Sequence, residues 1–597
     1  MQETRFEIPD CPVAEVRRLE RELGVSGVLA QVLVRRGFAE PDRARLFLAG
    51  EEEYPPEAFS RIGEAVESIR RHLAAGTRIT VHGDYDVDGV CSTAVLVRAL
   101  RELGADVDSY LPDRVSDGYG LNRQTVQRLA ARGTRLLVTV DCAVTAVEEV
   151  AAAQALGMEV VVTDHHAPRA DGALPRAPIV HPRLCGYPFT DLCAAAVAYK
   201  LAQALYGAAG RDPGELRADL DLVALATIAD VVPLVGENRT LVRRGLRALA
   251  STAKPGLRAL MTVAGVDPSK VDERAVGFAL APRLNAAGRL YRADAGLELI
   301  LTSDSERAKR IAEELDSANH ERRAVERQIR FEAEAQMAEL GERSAYVLAG
   351  EGWHPGVIGI VASRMVERSA RPVVMIALDG ETGRGSGRSV ESFDLLAGLT
   401  ACEGSLLRYG GHSAAAGLEI ERGRVGELAA ALRAHADLVL RAEDLVAVER
   451  VDAVVGGDEL GMELAEELRT LAPFGRGNPG VSLLVADATF TDSRPMGAGK
   501  HVRFTVESRG ARARAVAFGN GGRLPVEDGA PAQATFTLEV NEWNGVSEPR
   551  LVLRRARPAQ PEILEQDPAE AARPAAEGDR PAISHPAAEE LVLFALP

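Results

Sequence analysis

The stretch that most constrains this chain is Thr80-Val81-His82-Gly83-Asp84-Tyr85-Asp86-Val87-Asp88-Gly89. A β-branched run over 78–81 predicts a buried strand, which breaks at Gly83 and delivers a histidine and three alternating aspartates. Carboxylates packed this closely repel one another, and a cation is their natural counter-charge. A polar strand-to-helix turn, with Asp88 at the helix start, is the plain alternative. An EF-hand loop is a second, since Asp84, Asp86, Asp88 and Gly89 fit its first six positions. The EF-hand fails because its twelfth position is Val95 where a bidentate glutamate is required, and a strand leads in.

The surroundings of this stretch set its context. Strands are expected at 78–81, 107–111, 136–140 and 160–163, with helices at 91–103, 123–132 and 144–156. That alternation predicts a parallel, doubly wound sheet, in which ligands bind beyond the carboxyl ends of the strands. Three strands then end in Asp84 and Asp86, in Asp141, and in Asp164-His165-His166. Taken alone, Asp141 is equally a helix cap. Farther on, an apolar helix over 219–234 carries Asp230, which a helix dipole disfavours unless a cation lies near. Arg283, Asn285 and Arg289 sit among small residues and offer a surface for phosphate, or a plain turn.

At 597 residues the chain exceeds one core, and several domains are expected. Residues 1–55 read as an N-terminal helical lobe and 56–302 as the parallel-sheet domain. Residues 303–342 read as a long connecting helix with a capping box of Ser303 and Glu306. A smaller α/β domain follows over 343–450. It contains two glycine-rich stretches, in which Ser386, Arg388, Gly410, Gly411 and His412 suggest an anion site, though tight turns use the same residues. Short strands over 451–557 predict a barrel of the OB kind, where Arg503, Phe504, Phe518, Trp543 and Arg550 are stacking or phosphate candidates, with barrel core the commoner place for such aromatics and only Trp543 expected to be partly exposed. Residues 558–597 read as a disordered linker with an apolar tail.

Six scattered cysteines without a C-x-x-C pair indicate neither a disulfide framework nor a zinc knuckle. With no apolar run of membrane-spanning length and no signal-like start, a soluble cytoplasmic protein is expected. The net charge of −17 argues against a nucleic-acid partner only if acid is spread evenly, and here it is concentrated in the candidate metal site, outer helices and tail.

His82 to Gly89, Val140-Asp141, Thr163 to His166 and Ala229-Asp230 together resemble the four metal motifs of the DHH phosphoesterase superfamily. Gly410-Gly411-His412 resembles the mark of its DHH-associated domain. Gly352-Trp353-His354-Pro355-Gly356-Val357-Ile358-Gly359 and Pro473-Phe474-Gly475-Arg476-Gly477-Asn478-Pro479 narrow the resemblance to bacterial single-strand-specific exonucleases. One departure is Ala143, where that family usually has glycine.

The resemblance implies a nuclease using two divalent metals, Mn²⁺ or Mg²⁺, that degrades single-stranded DNA from the 5′ end to mononucleotides during repair and recombination. By motif, His82 and Asp84 hold one metal. Asp86, His165 and Asp230 hold the other, and Asp141 bridges them. His166 faces the site as a catalytic group or as a residue that orients ligands, with Asp88 in a supporting catalytic role or as a helix cap. A monomer is expected, with a single-strand binding protein and a RecQ-type helicase as partners. The rival readings are a DHH oligoribonuclease or small-nucleotide phosphodiesterase, and a non-catalytic DNA or replication-protein scaffold. The added barrel argues against the first and the filled ligand positions against the second.

Overall fold

A computed structural model describes residues 4–113, 117–290, 294–543 and 545–559. These divide into two compact units. One comprises residues 52–441 with 475–477, and the other residues 4–51, 442–474 and 478–559.

In the first unit a five-stranded sheet runs in the order Val107–Tyr110, Ile79–His82, Leu136–Thr139, Glu159–Thr163, Ile179–Val180, with every neighbouring pair parallel. Four of these strands match the expected ones to within a residue or two, and the short fifth was not foreseen. The first and third strands of the sequence lie side by side, so the chain order reverses between them. Such a reversal opens a crevice at the carboxyl ends. His82 ends the first of these strands, Asp84 follows it and Asp141 follows the third, so the sheet topology itself brings the acids together.

Both faces of the sheet are covered, which is why its strands read as apolar runs. Ile79, Val81, Leu136 and Val138 join one core, with the helices Ile62–Ala75, Val87–Glu102, Ala194–Ala208 and Leu220–Ala229. Leu137, Val160 and Val162 join the other, with the helices Arg123–Ala131 and Val147–Ala155. The apolar helix ends at Ala229, with Asp230 as its C-terminal cap, rather than running on to 234.

The connecting helix is Ser305–Leu340, on the order of 54 Å long. Its N-cap is Asp304, whose carboxylate accepts from the N–H groups of Glu306 and Arg307. Ser303 and Glu306 are therefore not the capping pair. Trp353 anchors the next domain to this helix by donating from Nε1 to Glu332 at 2.7 Å.

The smaller α/β domain contains a five-stranded sheet in the order Arg408–Gly411, Ala415–Glu421, Thr382–Arg388, Val373–Asp379, Tyr346–Glu351. Both glycine-rich stretches, expected as phosphate loops, contribute strands to it. The glycines are there for packing. A Cβ on Gly383, Gly385 or Gly387 would come within 2.7 Å of Ile376, Leu418 or Leu395.

In the second unit a six-stranded sheet closes on itself, because Leu483–Met496 pairs with both His501–Ser508 and Pro531–Trp543. The N-terminal segment is not a lobe of its own. Thr4–Glu7 pairs in parallel with Ala447–Arg450, and Leu29, Leu33 and Phe47 share one core with Leu483, Phe490 and Phe536. Arg36 reaches Asp452 with Nε and Nη2, both at 2.9 Å, and Asn478 with Nη1 at 2.7 Å. Among the barrel aromatics, Phe504 is core, whereas Phe518 is half-exposed beneath Arg550. The Trp543 side chain and the tail from 560 lie outside the described residues.

Candidate metal centre

The loop after Ile79–His82 is held by backbone contact. A Cβ on Gly89 would lie 2.4 Å from Asp84 O, and one on Gly83 would lie 2.1 Å from Thr93 Oγ1. The helix Val87–Glu102 therefore begins directly under the strand end. Its cap is Asp86, whose Oδ1 accepts from the N–H groups of Asp88 and Gly89 at 2.9 and 3.1 Å. Asp88 grips a different helix. Its two oxygens accept from Ala194 N–H at 2.7 Å and Ala195 N–H at 2.8 Å, at the start of Ala194–Ala208.

Three groups of side chains bring ligand atoms within 4.8 Å of one another: Asp84, Asp86 and Asp141; Asp88, His165 and Asp230; and Asp141, His165 and His166. Asp141 belongs to the first and the last of them. Its Oδ1 is 3.3 Å from His165 Nε2, and His165 Nε2 is 3.8 Å from both Asp88 and Asp230. This grouping differs from the motif-based one at Asp86, which changes group, and at Asp88 and His166, which join groups as further members, while His82 is in none of the three. Asp86 clusters with Asp84 and Asp141, because as a cap it is tied to its own loop, while Asp88 sits beside His165 and Asp230.

The electrostatics fit a divalent cation. Asp141 is pushed well above the usual carboxylate range by burial and by Asp88, Asp86, Asp84 and Asp230. Burial and the Asp86 charge raise Asp88 to about 7. Burial holds His82 neutral, at about 4, and burial with the neighbouring His166 charge holds His165 at about 3. Neutral imidazoles are the form that binds metal, and Nε2 of both rings is buried without a hydrogen-bond partner. Crowded carboxylates beside unused imidazole nitrogens suit Mn²⁺ and tolerate Mg²⁺.

His166 differs from its neighbour. Burial opposes its charge, but the Asp164 carboxylate, 2.8 Å from Nδ1, prevails and raises it to about 9. Asp164 also accepts from the N–H groups of His165, His166 and Val144, which fixes the whole Asp-His-His turn. Tyr119 adds its hydroxyl, 3.1 Å from His166 Nδ1 and donating to Asp141 O at 3.2 Å. His181 Nε2 lies 2.8 Å from His166 O. Of these three supports, only Asp164 is named from sequence, as part of a strand ending and without a role; Tyr119 and His181 are not. Asp164 had a visible signal, its place at the strand end, whereas Tyr119 and His181 had none.

Asp141 and Ala143 both adopt left-handed backbone, at φ 63° and 82°, so the departure from glycine at 143 falls where glycine is most at ease.

The remaining candidates lie apart from the acids or support them. Asn285 Oδ1 accepts from Val87 N–H at 3.1 Å and so braces the metal loop. Arg283 is buried and donates to Asp316 at 2.8 Å and to Ala279 O at 2.7 Å, so its guanidinium is committed to structure. Both belong to a helix, Ala281–Leu290, and not to a turn. The Arg289 side chain lies outside the described side chains. Arg388, 6% exposed, donates to Ser386 Oγ at 3.0 Å and to Gly387 O at 2.8 Å. Burial lowers it to about 10. Gly411, at φ 142°, turns the Arg408–Gly411 strand toward His412, whose N–H donates to Ala415 O at 2.8 Å. Gly410 pairs across from Gly417.

Carboxylates and imidazoles gathered at the reversal point of a parallel sheet, followed by a smaller mixed α/β domain, define a DHH-type phosphoesterase. The sequence matches the DHH family, N-terminal domain, over residues 78–227, the DHHA1 domain over 342–438 and the RecJ OB domain over 451–555. It is 39% identical over 562 residues to the single-stranded-DNA-specific exonuclease RecJ of Bacillus subtilis (strain 168), covering 92% of this chain and 70% of that one. It is 37% identical over 527 residues to RecJ of Escherichia coli (strain K12), covering 82% and 89%. The crystal structure of RecJ from Thermus thermophilus in complex with Mn²⁺ aligns with a TM-score of 0.80 at 32% identity, over 94% of this chain and 80% of that one. The same protein in complex with Mg²⁺ aligns at 0.75. The chain belongs to the RecJ family. Among the described residues, no helix is long and apolar enough to cross a membrane.

Proposed function

We propose that this protein is a metal-dependent exonuclease that hydrolyses single-stranded DNA from its 5′ end to mononucleotides, in DNA repair and recombination. The observation that carries the reading is the double membership of Asp141, within 4.8 Å of ligand atoms of Asp84 and Asp86 on one side and of His165 and His166 on the other. A carboxylate so shared suits a bridge between two divalent ions, with His82 and Asp84 serving one and His165 and Asp230 the other. Asp86 supports the first of these through its own oxygens, and Asp88 supports His165 while pinning the helix behind it. Two bound Mn²⁺ or Mg²⁺ ions supply Lewis acidity at the scissile phosphate and lower the pKa of water.

The chain's own groups do the rest. His166, held charged by Asp164, is suited to donate a proton from Nε2 to the leaving oxygen. Tyr119 contacts its ring at Nδ1, and His181 holds its backbone carbonyl. Reading of the 5′ end falls to Arg388 with Ser386, Gly410, Gly411 and His412. The support for this is that Arg388 is a buried cation with no carboxylate partner among the described residues, which suits a terminal phosphate. Phe518 suits base stacking on the barrel, as does Trp543 by its residue type, whereas Arg550 is paired with Glu539. Arg283 and Asn285 serve the metal loop and its flank, and Arg289 suits phosphate by its residue type. A monomeric cytoplasmic enzyme working with a single-strand binding protein and a RecQ-type helicase completes the reading.

The test is digestion of 5′- and 3′-labelled single strands in Mn²⁺. A 5′ label released at once as mononucleotide, with duplex of the same sequence left intact, is the expected result. Simultaneous loss of both labels, or equal attack on duplex, contradicts it.

A further inference from the structure

Phe278 and Phe331 are 73% and 74% exposed, the two most exposed phenylalanines among the described residues. Neither contributes to a core, and both lie within the first unit. Phe278 sits on a π-helical turn, Val276–Leu280, which is continuous with the helix Ala281–Leu290. A π turn inside a helix turns residues off the packed face, and such turns cluster at functional sites. This one is docked on the metal centre from two directions. A Cβ on Gly277 would sit 3.6 Å from Ile228, two residues before Asp230, and Asn285 braces Val87 in the aspartate loop.

Arg323 of the connecting helix donates from Nη2 to Phe278 O at 3.4 Å. From there Arg323, Arg327 and Phe331 follow at intervals of four residues and share one exposed helical face, over a rise of about 12 Å. The acids of this helix nearby are already engaged: Asp316 by Arg283, Glu326 by Arg322 and Arg364, Glu334 by Arg368, and Glu332 by Trp353. Neither Arg323 nor Arg327 has a carboxylate within bridging distance among the described residues. On a chain of net charge −17, two uncompensated guanidinium groups bracketed by two exposed aromatic rings are a local reversal of character.

We propose that Phe278, Arg323, Arg327 and Phe331 form a track that binds single-stranded nucleic acid next to the metal centre, with bases on the rings and phosphates on the arginines. Alternating π faces and cations are what a flexible single strand offers partners for, and a stiff duplex cannot unstack its bases onto the rings. The span accommodates on the order of three nucleotides. The inference rests on the exonuclease reading and adds to it where the strand lies beyond the scissile phosphate.

The experiment uses the full chain with fluorescent dT20 in EDTA, where no hydrolysis occurs, over a series of salt concentrations. For Arg323→Ala/Arg327→Ala, the slope of log K against log salt falls by about 1.4, at about 0.7 for each phosphate no longer neutralised. Phe278→Ala and Phe331→Ala each weaken binding about five-fold or more and leave the slope unchanged. Thermal melting of each variant at the parent temperature excludes misfolding, since all four side chains are exposed. Parent-like affinity and slope in all variants overturn the track, as does an equal loss on duplex DNA, which would mark a generic cationic surface. A parent that neither binds nor degrades single strands overturns instead the function on which the track rests.

Discussion

Asp164 Oδ1 lies 2.8 Å from Nδ1 of His166, and this bond fixes which ring nitrogen is committed to the protein and which can serve a substrate. With Nδ1 held, the proton that the proposed mechanism transfers is on Nε2. Replacing His166 by alanine is expected to lower kcat by about 10²- to 10⁴-fold with little change in strand binding. Asp164→Asn should lower kcat in the same direction, because the ring loses both its orientation and the charge that keeps it protonated. Steady-state kinetics on a labelled oligonucleotide checks both, and a His166→Ala enzyme within two-fold of the parent removes His166 from proton transfer.

Ala143 holds a left-handed backbone, φ 82°, two residues after Asp141. Such a conformation costs an alanine of the order of 1 kcal/mol or more, part of which glycine regains despite its freer unfolded chain. Ala143→Gly is therefore expected to raise stability by up to about 1 kcal/mol, read as a higher Tm, at unchanged activity. A lower Tm would mean that the Cβ contributes more by packing than the backbone loses by strain.

The parallel sheet, its three acid-bearing strand ends and the acid closing the apolar helix were legible because they depend on local pattern: apolar runs, helical periods and the residues that follow them. The sharing of those acids was legible only as far as topology could be inferred, since strands adjacent in space are distant in sequence. Asp88 illustrates what sequence withholds. Its partners, Ala194 and Ala195, lie about a hundred residues away and expose no side-chain signal. The glycine-rich strands misled for a related reason. The Leu418 and Leu395 side chains that exclude a Cβ from Gly385 and Gly387 come from other elements, so packing glycines looked like phosphate-loop glycines. Similarly, helices over 13–23 and 28–36 were readable, but neither the third helix, Pro41–Ala49, nor that Leu29 and Phe47 complete the core of a barrel beginning some four hundred residues later.

Metal binding and proton binding should compete at the acidic cluster. Asp88 is raised from 3.8 to about 7, so between those values the folded protein keeps a proton that the unfolded chain releases. Stability without metal accordingly falls as pH rises from about 4 to about 7, and a bound cation removes that penalty. The gain in Tm on adding Mn²⁺ is expected to be larger at pH 7.5 than at pH 5.5, and chelation should reverse it. An equal or larger gain at pH 5.5 would show that the cluster is not where the ion acts.

Arg388 is expected to set the preference for a 5′-phosphate. Arg388→Ala should lower kcat/KM on 5′-phosphorylated strands by roughly 10- to 150-fold, the worth of one charge-assisted hydrogen bond, and affect 5′-hydroxyl strands far less. The measurement compares the two substrates at fixed salt and metal. An unchanged preference would assign the buried guanidinium to the fold, through Ser386 and Gly387, and leave the reading of the terminus to other groups.

The most direct test of the account is Asp141→Ala, because Asp141 alone joins the group of Asp84 and Asp86 to a group containing His165. Hydrolysis of single-stranded DNA in Mn²⁺ and binding of the same strand in EDTA are measured side by side. The account predicts that hydrolysis disappears while binding stays within a few-fold of the parent, since the strand is held by residues elsewhere. Appreciable hydrolysis by the variant in Mn²⁺ would contradict a bridging Asp141 and the two-metal centre built on it.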